Sequence, residues 1–194
     1  ELAREICVAN LYNTASNFGK HQSLAANGFK KLTDPEFDVL PFLLEMLQEP
    51  IMRPNQFTTN QRVMTALRTN KHMIKAYNQS LGDSGLVPIS FIKEQLELDA
   101  INVGQSRVNT AKKGKAPALS LAWQDSLAMT YVDPLASTLN SRMTFALTAQ
   151  YKERVSGNKD VDAGLRGGKK VLVGETVKEL AIAKDCGLLL TNVL

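Results

Sequence analysis

A chain of 194 residues, 44% hydrophobic and 22% charged, has the length and apolar content for a real core, in one domain or one body with two lobes. Those proportions exclude intrinsic disorder and collagen-like structure, and a formal net charge of +4 is too mild for a nucleic-acid-binding arm. Two cysteines, Cys7 and Cys186, at opposite ends of the sequence exclude a disulfide framework and read as idle thiols in a reducing compartment.

In chain order, residues 1–12 read as a helix, with Leu2, Ile6 and Ala9 at helical spacing. No capping residue opens it and the sequence begins with Glu1, so the helix is expected to continue upstream. Residues 13–32 read as irregular, punctuated by Asn17, Gly19, Asn27 and Gly28. A second helix is expected to open at a Thr33/Glu36 capping box, or at Asp34 with Pro35 in the first position. Phe37, Leu40, Leu43, Leu44 and Leu47 form its apolar stripe, and Pro41 either kinks it or marks its true start. This is the most apolar stretch of the sequence, and it is far too short to cross a membrane. Pro50 and Pro54 stop it, and Gln56, Phe57 and Thr58 suit a short extended piece. Residues 59–72 suit a third helix burying Val63, Met64 and Leu67; residues 78–88 a loop; and residues 90–98 a short fourth helix packing Phe91, Ile92 and Leu96.

The period then changes. Residues 100–103, 119–123 and 128–132 read as strands, with an exposed loop rich in Lys, Gly and Pro over 109–117. Met143, Phe145, Leu147, Ala149 and Tyr151 alternate with Thr144, Ala146, Thr148 and Gln150, the pattern of a strand with one buried face. Residues 155–168 read as a long connection, 171–175 and 177–182 alternate again, and Gly187 precedes a last apolar run over 188–190. Helices first and strands later, without an internal repeat, predict an α+β fold.

The search for chemistry comes back empty. His21 and His72 have no partner at metal-ligand spacing, and no nucleophile elbow or zincin motif occurs. The run from Gly164 through Arg166, Gly167 and Gly168 to Lys170 lacks Walker spacing, and the alternation after it marks a hairpin connection. Asp99, Asp125, Asp133, Glu175 and Glu179 are scattered acids, and Trp123 reads as core rather than as a binding platform. No catalytic, cofactor or metal residue is expected, which favours a structural or binding role. The densest basic spots are Lys112, Lys113 and Lys115, then Arg166, Lys169 and Lys170; they read as solvated loops. The rival reading makes both clusters the binding surface of a small basic α+β nucleic-acid module.

Several segments carry a resemblance, in order: Pro54-Asn55-Gln56-Phe57 followed by Val63 to Leu67; Ile101-Asn102-Val103-Gly104 running into an Asn-rich loop; Trp123-Gln124-Asp125 and Tyr131-Val132; and Val177-Lys178-Glu179 with the closing run from Ala183 to Val193. In these the chain resembles the major capsid proteins of tailed bacteriophages, whose Hong Kong 97-type coat fold is also used by encapsulin shells. The matches span most of residues 50–194. The resemblance implies a subunit of an icosahedral or prolate shell around the DNA genome, assembled in the host cytoplasm from pentamers and hexamers. It implies many copies of the chain as partners, with portal, decoration or scaffold proteins beside them, weak non-specific contact with packaged DNA, and no membrane. Residues 1–49 would be the helical part of a peripheral domain, 50–137 an axial domain and 138–194 the peripheral β strands. Lys112, Lys113 and Lys115 would then lie at or near an assembly contact. An N-terminal arm and an extended loop would precede Glu1, and this chain made alone is expected to fold without closing into uniform shells.

Overall fold

The computed structural model describes residues 2–25, 30–78, 85–137, 139–161 and 167–194. In chain order they form α1 (Leu2–Asn13), β1 (Lys20–Ser23), α2 (Val39–Met46), β2 (Gln56–Asn60), α3 (Gln61–Thr69), α4 (Lys71–Tyr77) and α5 (Ile89–Gln95). Strands β3 (Ala100–Gly104), β4 (Arg107–Asn109), β5 (Leu119–Leu121), β6 (Ser126–Thr130), β7 (Ala146–Val161), β8 (Gly168–Ala181) and β9 (Gly187–Thr191) follow. The α+β class holds.

Five strands make one sheet in the order β1-β9-β6-β2-β3. β1 runs parallel to β9 and β2 to β3, while β6 is antiparallel to both of its neighbours. The middle strands β6 and β9 are buried along nearly their whole length. A strand covered on both faces reads as a continuous apolar run rather than as an alternation, which is why Leu188, Leu189 and Leu190 stand side by side. Leu127, Met129, Leu188, Leu190 and Phe57 point into a core closed by α2, α3, α4 and α5 through Leu43, Val63, Leu67, Ile74 and Ile92. On the opposite face Ala128 and Leu189 meet Phe18, Phe145 and Tyr12.

Two asparagines fasten β2 at its ends. Before the strand, Asn55 donates to Asp99 Oδ2 and to the Val132 carbonyl, and accepts from the Val132 amide. After it, the buried Asn60 accepts from Val63 N as the N-cap of α3 and donates to Gln124 O and Asp125 Oδ1. Each carboxamide satisfies backbone groups that the ladder leaves over, so the ends of β2, β3 and β6 are set by the same two side chains.

Several expectations need correction. Residues 13–32 are not wholly irregular: β1 pairs with β9, and its sequence Lys-His-Gln-Ser gave no apolar signal because it is an edge strand. The second helix begins at Val39 rather than at the Thr33/Glu36 box; Asp34 Oδ1 instead accepts from Glu36 N in a turn, and Pro41 sits in the first helical turn, where its missing N–H costs nothing. The expected third helix is two: Asn70 leaves the helical conformation and caps α4 by accepting from His72 N and Met73 N. Part of the 78–88 loop and the Gly164–Arg166 stretch lie outside the described residues. Residues 155–161 are strand, not connection, and the strand over 146–151 has no buried face; only Thr144 and Phe145 at its root are buried. In the packing, β1 and α2 from residues 1–49 and β9 from residues 138–194 share one sheet and core with residues 50–137.

The face toward α1 is built from small residues under large rings. Phe18 and Phe145 stack with centroids 4.7 Å apart, and Tyr12 lies within 6.1 Å of Phe18, Phe145 and Trp123. Gly187 passes beneath this cluster; a Cβ there would sit 2.5 Å from Phe145 and 2.9 Å from Phe18. Trp123 lies over Gly104 in the same way, and its indole N–H donates to Glu5 Oε1 at 3.0 Å. Hydrogen bonds from Ser106 and Trp123 hold the Glu5 carboxyl below the usual glutamate range.

Two outcomes follow for the chain in solution. Gly187→Val overpacks the Phe18–Phe145 stack and should cost about 1–3 kcal/mol of stability in urea denaturation; an unchanged midpoint would show that the rings relax freely. Glu5 has a depressed pKa, so its contribution is present above the unfolded carboxyl pKa and is lost as pH falls through the lower folded value. Fluorescence of Trp123, the single tryptophan, should therefore titrate below the usual glutamate range, and Glu5→Gln should abolish that transition.

Candidate assembly surfaces

The β7–β8 hairpin is the most exposed feature among the described residues. Phe145 anchors its root: Phe145 N donates to Tyr131 O, and Ile182 N donates to Phe145 O. From there β7 runs 16 residues, roughly 50 Å at the usual strand rise. Its ladder with β8 is interrupted between Tyr151 and Val155, where Lys152 takes a left-handed conformation at φ 59°, the signature of a bulge. Glu175 braces the hairpin there, accepting from Arg154 Nε and Nη2 at 3.0 and 2.7 Å and from Arg4 of α1 at 2.9 Å. Arg154, and then Arg4, hold the Glu175 carboxyl below its usual range.

Past the bulge the hairpin forms a two-stranded sheet of its own, exposed throughout. Register places Val171 opposite Asn158 and Val173 opposite Ser156 on one face, and Val155 opposite Gly174 and Leu172 opposite Gly157 on the other. Val155, Val171 and Val173 are 68%, 66% and 65% exposed. A lone two-stranded hairpin is marginal in water, and its edges offer unpaired backbone groups. Apolar side chains on both faces of such a ribbon mark a surface made to be covered. The sequence reading missed these residues as a surface because alternation looks the same on a strand with one buried face. The signal available was the polar run from Ser156 to Asp160 paired with an apolar one from Val171 to Val173.

The second surface is the β4–β5 hairpin. Asn109 Oδ1 accepts from the amides of both Ala111 and Ala118, Thr110 N donates to Ala118 O, and Lys115 N donates to Lys112 O. Gly114 takes φ 87° at the tip, a conformation that favours glycine. The loop is therefore a closed turn that presents Lys112, Lys113 and Lys115 on one tip, all exposed. Lys169 and Lys170 stand on β8, on a separate hairpin, opposite Asp160 and Lys159; Arg166 lies outside the described residues.

Three of the remaining acids have structural partners. Asp125 pairs with Arg62 and Asp133 with Arg142, while Asp99 accepts from Asn55. His21 hydrogen-bonds Thr191 Oγ1 across the β1–β9 pair. Burial pushes the Cys186 thiol up, with the Asp185 carboxylate adding to the shift, and Cys7 is exposed and unpaired. No group of three metal-ligating side chains, and no helix long and apolar enough to cross a membrane, occurs among the described residues.

No family model matches the chain. Over 192 residues it is 41% identical to the major capsid protein of Pseudomonas phage JBD67, an alignment covering 98% of this chain and 62% of that protein. Its fold is similar to the crystal structure of a phage-related protein from Bordetella bronchiseptica, with a TM-score of 0.78 at 17% identity over 99% of this chain and 63% of that one. The chain thus spans less than two thirds of the length of either. With nearly every residue aligned at that identity, the chain is a homologue of a phage major capsid protein and corresponds to about 62% of its length.

Proposed function

We propose that the chain is the shell-building body of a phage capsid subunit with the Hong Kong 97-type layout, acting by self-assembly and not by catalysis. In this reading α1 and the β7–β8 hairpin form the peripheral unit, and the five-stranded sheet with α2 to α5 forms the axial unit. Pentamers and hexamers of such subunits close a shell around the genome in the host cytoplasm, with portal, decoration or scaffold proteins as further partners. The observation that carries the reading is the β7–β8 hairpin, a ribbon of roughly 50 Å whose distal part has exposed valines and leucine on both faces. Such a ribbon is stable when a neighbour lies on it, and repetition of one contact by symmetry is how a shell closes. The homologue's name supports the same role.

The test uses the full-length protein of which this chain is the body. It should sediment and scatter as megadalton particles visible by electron microscopy. Val171→Lys with Val173→Lys changes one exposed face of the hairpin and should leave unfolding free energy within about 0.5 kcal/mol of the parent while particles disappear. A full-length protein that stays a monodisperse monomer would overturn the proposal.

Contact with packaged DNA in this reading is weak and sequence-independent, because the cations of one tip neutralise few phosphates. The 194-residue chain should bind duplex DNA with a log–log salt slope no steeper than about −3, the value for three neutralised phosphates. Tight, sequence-specific binding at physiological salt would instead favour a nucleic-acid module.

A further inference from the structure

We infer that α1 couples the two projecting hairpins, so that engaging the β7–β8 ribbon changes how firmly the β4–β5 hairpin is held, and the reverse; that this coupling serves assembly rests on the shell reading above. Among the described residues no hydrogen bond or ion pair joins the β7–β8 hairpin to residues 104–124. Each is tied instead to α1. On one side of the helix Arg4 reaches Glu175 of β8 at 2.9 Å, and Val8 and Leu11 line a small cavity with Leu147 of β7 and Glu179 of β8. Spacings of four and three put Arg4, Val8 and Leu11 on one face. On another side Glu5 accepts from the Trp123 indole N–H at 3.0 Å, and the Tyr12 ring, two turns on, lies 5.9 Å from the same indole.

The grip on the β4–β5 hairpin falls on three consecutive residues where the chain returns from it. Asn13, at the far end of α1, donates to Ala122 O at 2.9 Å and accepts from Gln124 N at 3.2 Å, and Glu5 holds Trp123 between them. Ala122 N in turn donates to Ser106 O on the outgoing leg, and Trp123 covers Gly104 where that leg begins. Holding residues 122–124 therefore holds the base of the hairpin whose tip carries the three lysines. The grip on the ribbon is at Glu175, opposite the point where the ladder is interrupted. Arg4 and Glu5 are neighbours on one helical turn. Such a turn forms cooperatively, so neither side chain leaves its seat without disturbing the other. Coupling between two sites is mutual by thermodynamic necessity, and this turn is the element that both bias. A neighbour that settles on the ribbon thereby alters the hold on the lysine tip.

The test is amide hydrogen exchange in the unassembled 194-residue chain. Glu175→Gln and Arg4→Gln each loosen the ribbon tie without altering the β4–β5 hairpin. Both should speed exchange of the Ala122 and Thr110 amides about two- to five-fold, the range open to one exposed ion pair. In the opposite direction Glu5→Gln should speed exchange over residues 174–177 by a similar factor. The Leu189 amide in the middle of the sheet should keep its rate in all three variants. Ala122 should keep its rate in Arg142→Gln, which breaks an exposed ion pair that does not involve α1. Unchanged exchange at Ala122 in both ribbon variants would overturn the inference. Equal acceleration at Leu189, or in Arg142→Gln, would overturn it as well, because it would show a loss of overall stability and not a path through α1. These measurements need no assembly, so their failure strikes the coupling alone, whereas a full-length protein without particles strikes the shell reading alone.

Discussion

Everything in this fold depends on burying β6 and β9 on both faces. A strand in that position exposes no backbone group to water, so every amide and carbonyl must find its partner in the ladder. The two faces solve the packing differently. One is leucine-rich and closes under four short helices, with the large side chains coming from the sheet as well as from the helices. The other is nearly flat, with Gly187, Ala128 and Gly104 along the strands, and the bulk comes from outside as Phe18, Phe145, Tyr12 and Trp123. The flat face receives rings that belong to the base of the hairpin and to the helix beside it. The joint between the globular body and its projecting arm is therefore itself a piece of core.

That joint separates a rigid part of the hairpin from a free part. Near the root, Phe145 is buried and Glu175 ties Arg154 of β7 to Arg4 of α1. Past the irregularity at Lys152 nothing else in the described chain covers the ribbon. The charges at the brace are exposed and individually worth little, but they act where the ladder is interrupted and set the direction in which the ribbon leaves. The apolar residues beyond them are displayed, not packed.

Much of the body was legible in the sequence because its physics is local. The apolar runs of β6 and β9, the stripe of Val63, Met64 and Leu67, and the Lys-Gly-Pro loop each signal themselves within a few residues. Misreadings arose where position in the fold outweighs local pattern. β1 is polar because an edge strand needs no apolar face, so nothing in Lys-His-Gln-Ser points to a sheet. Asn70 looks like an ordinary helical residue until its carboxamide is seen to cap the next helix. The alternation from Met143 to Tyr151 is that of a half-buried strand, and only the absence of anything packed on it reveals an exposed ribbon. Lys112, Lys113 and Lys115 were singled out by composition and lie together on one tip. The Pro54-Asn55 pair was noticed as a pattern, and its physical meaning, a carboxamide fastening β2 to its neighbours, needs the three-dimensional ladder.

The pairing of β1 with β9 has a consequence for synthesis. His21 and Thr191 touch across a sequence separation of 170 residues, and β9 lies between β1 and β6 in the sheet. At about 5–20 residues per second a ribosome takes roughly 10 to 30 s to travel that distance. Until β9 emerges, β1 has no partner, the inner edge of β6 is unpaired, and neither core can close. The second strand of the hairpin ends at Ala181, just before β9 begins at Gly187, so it too is completed late. In that interval the unpaired edges of β1 and β6 invite pairing with the wrong chain.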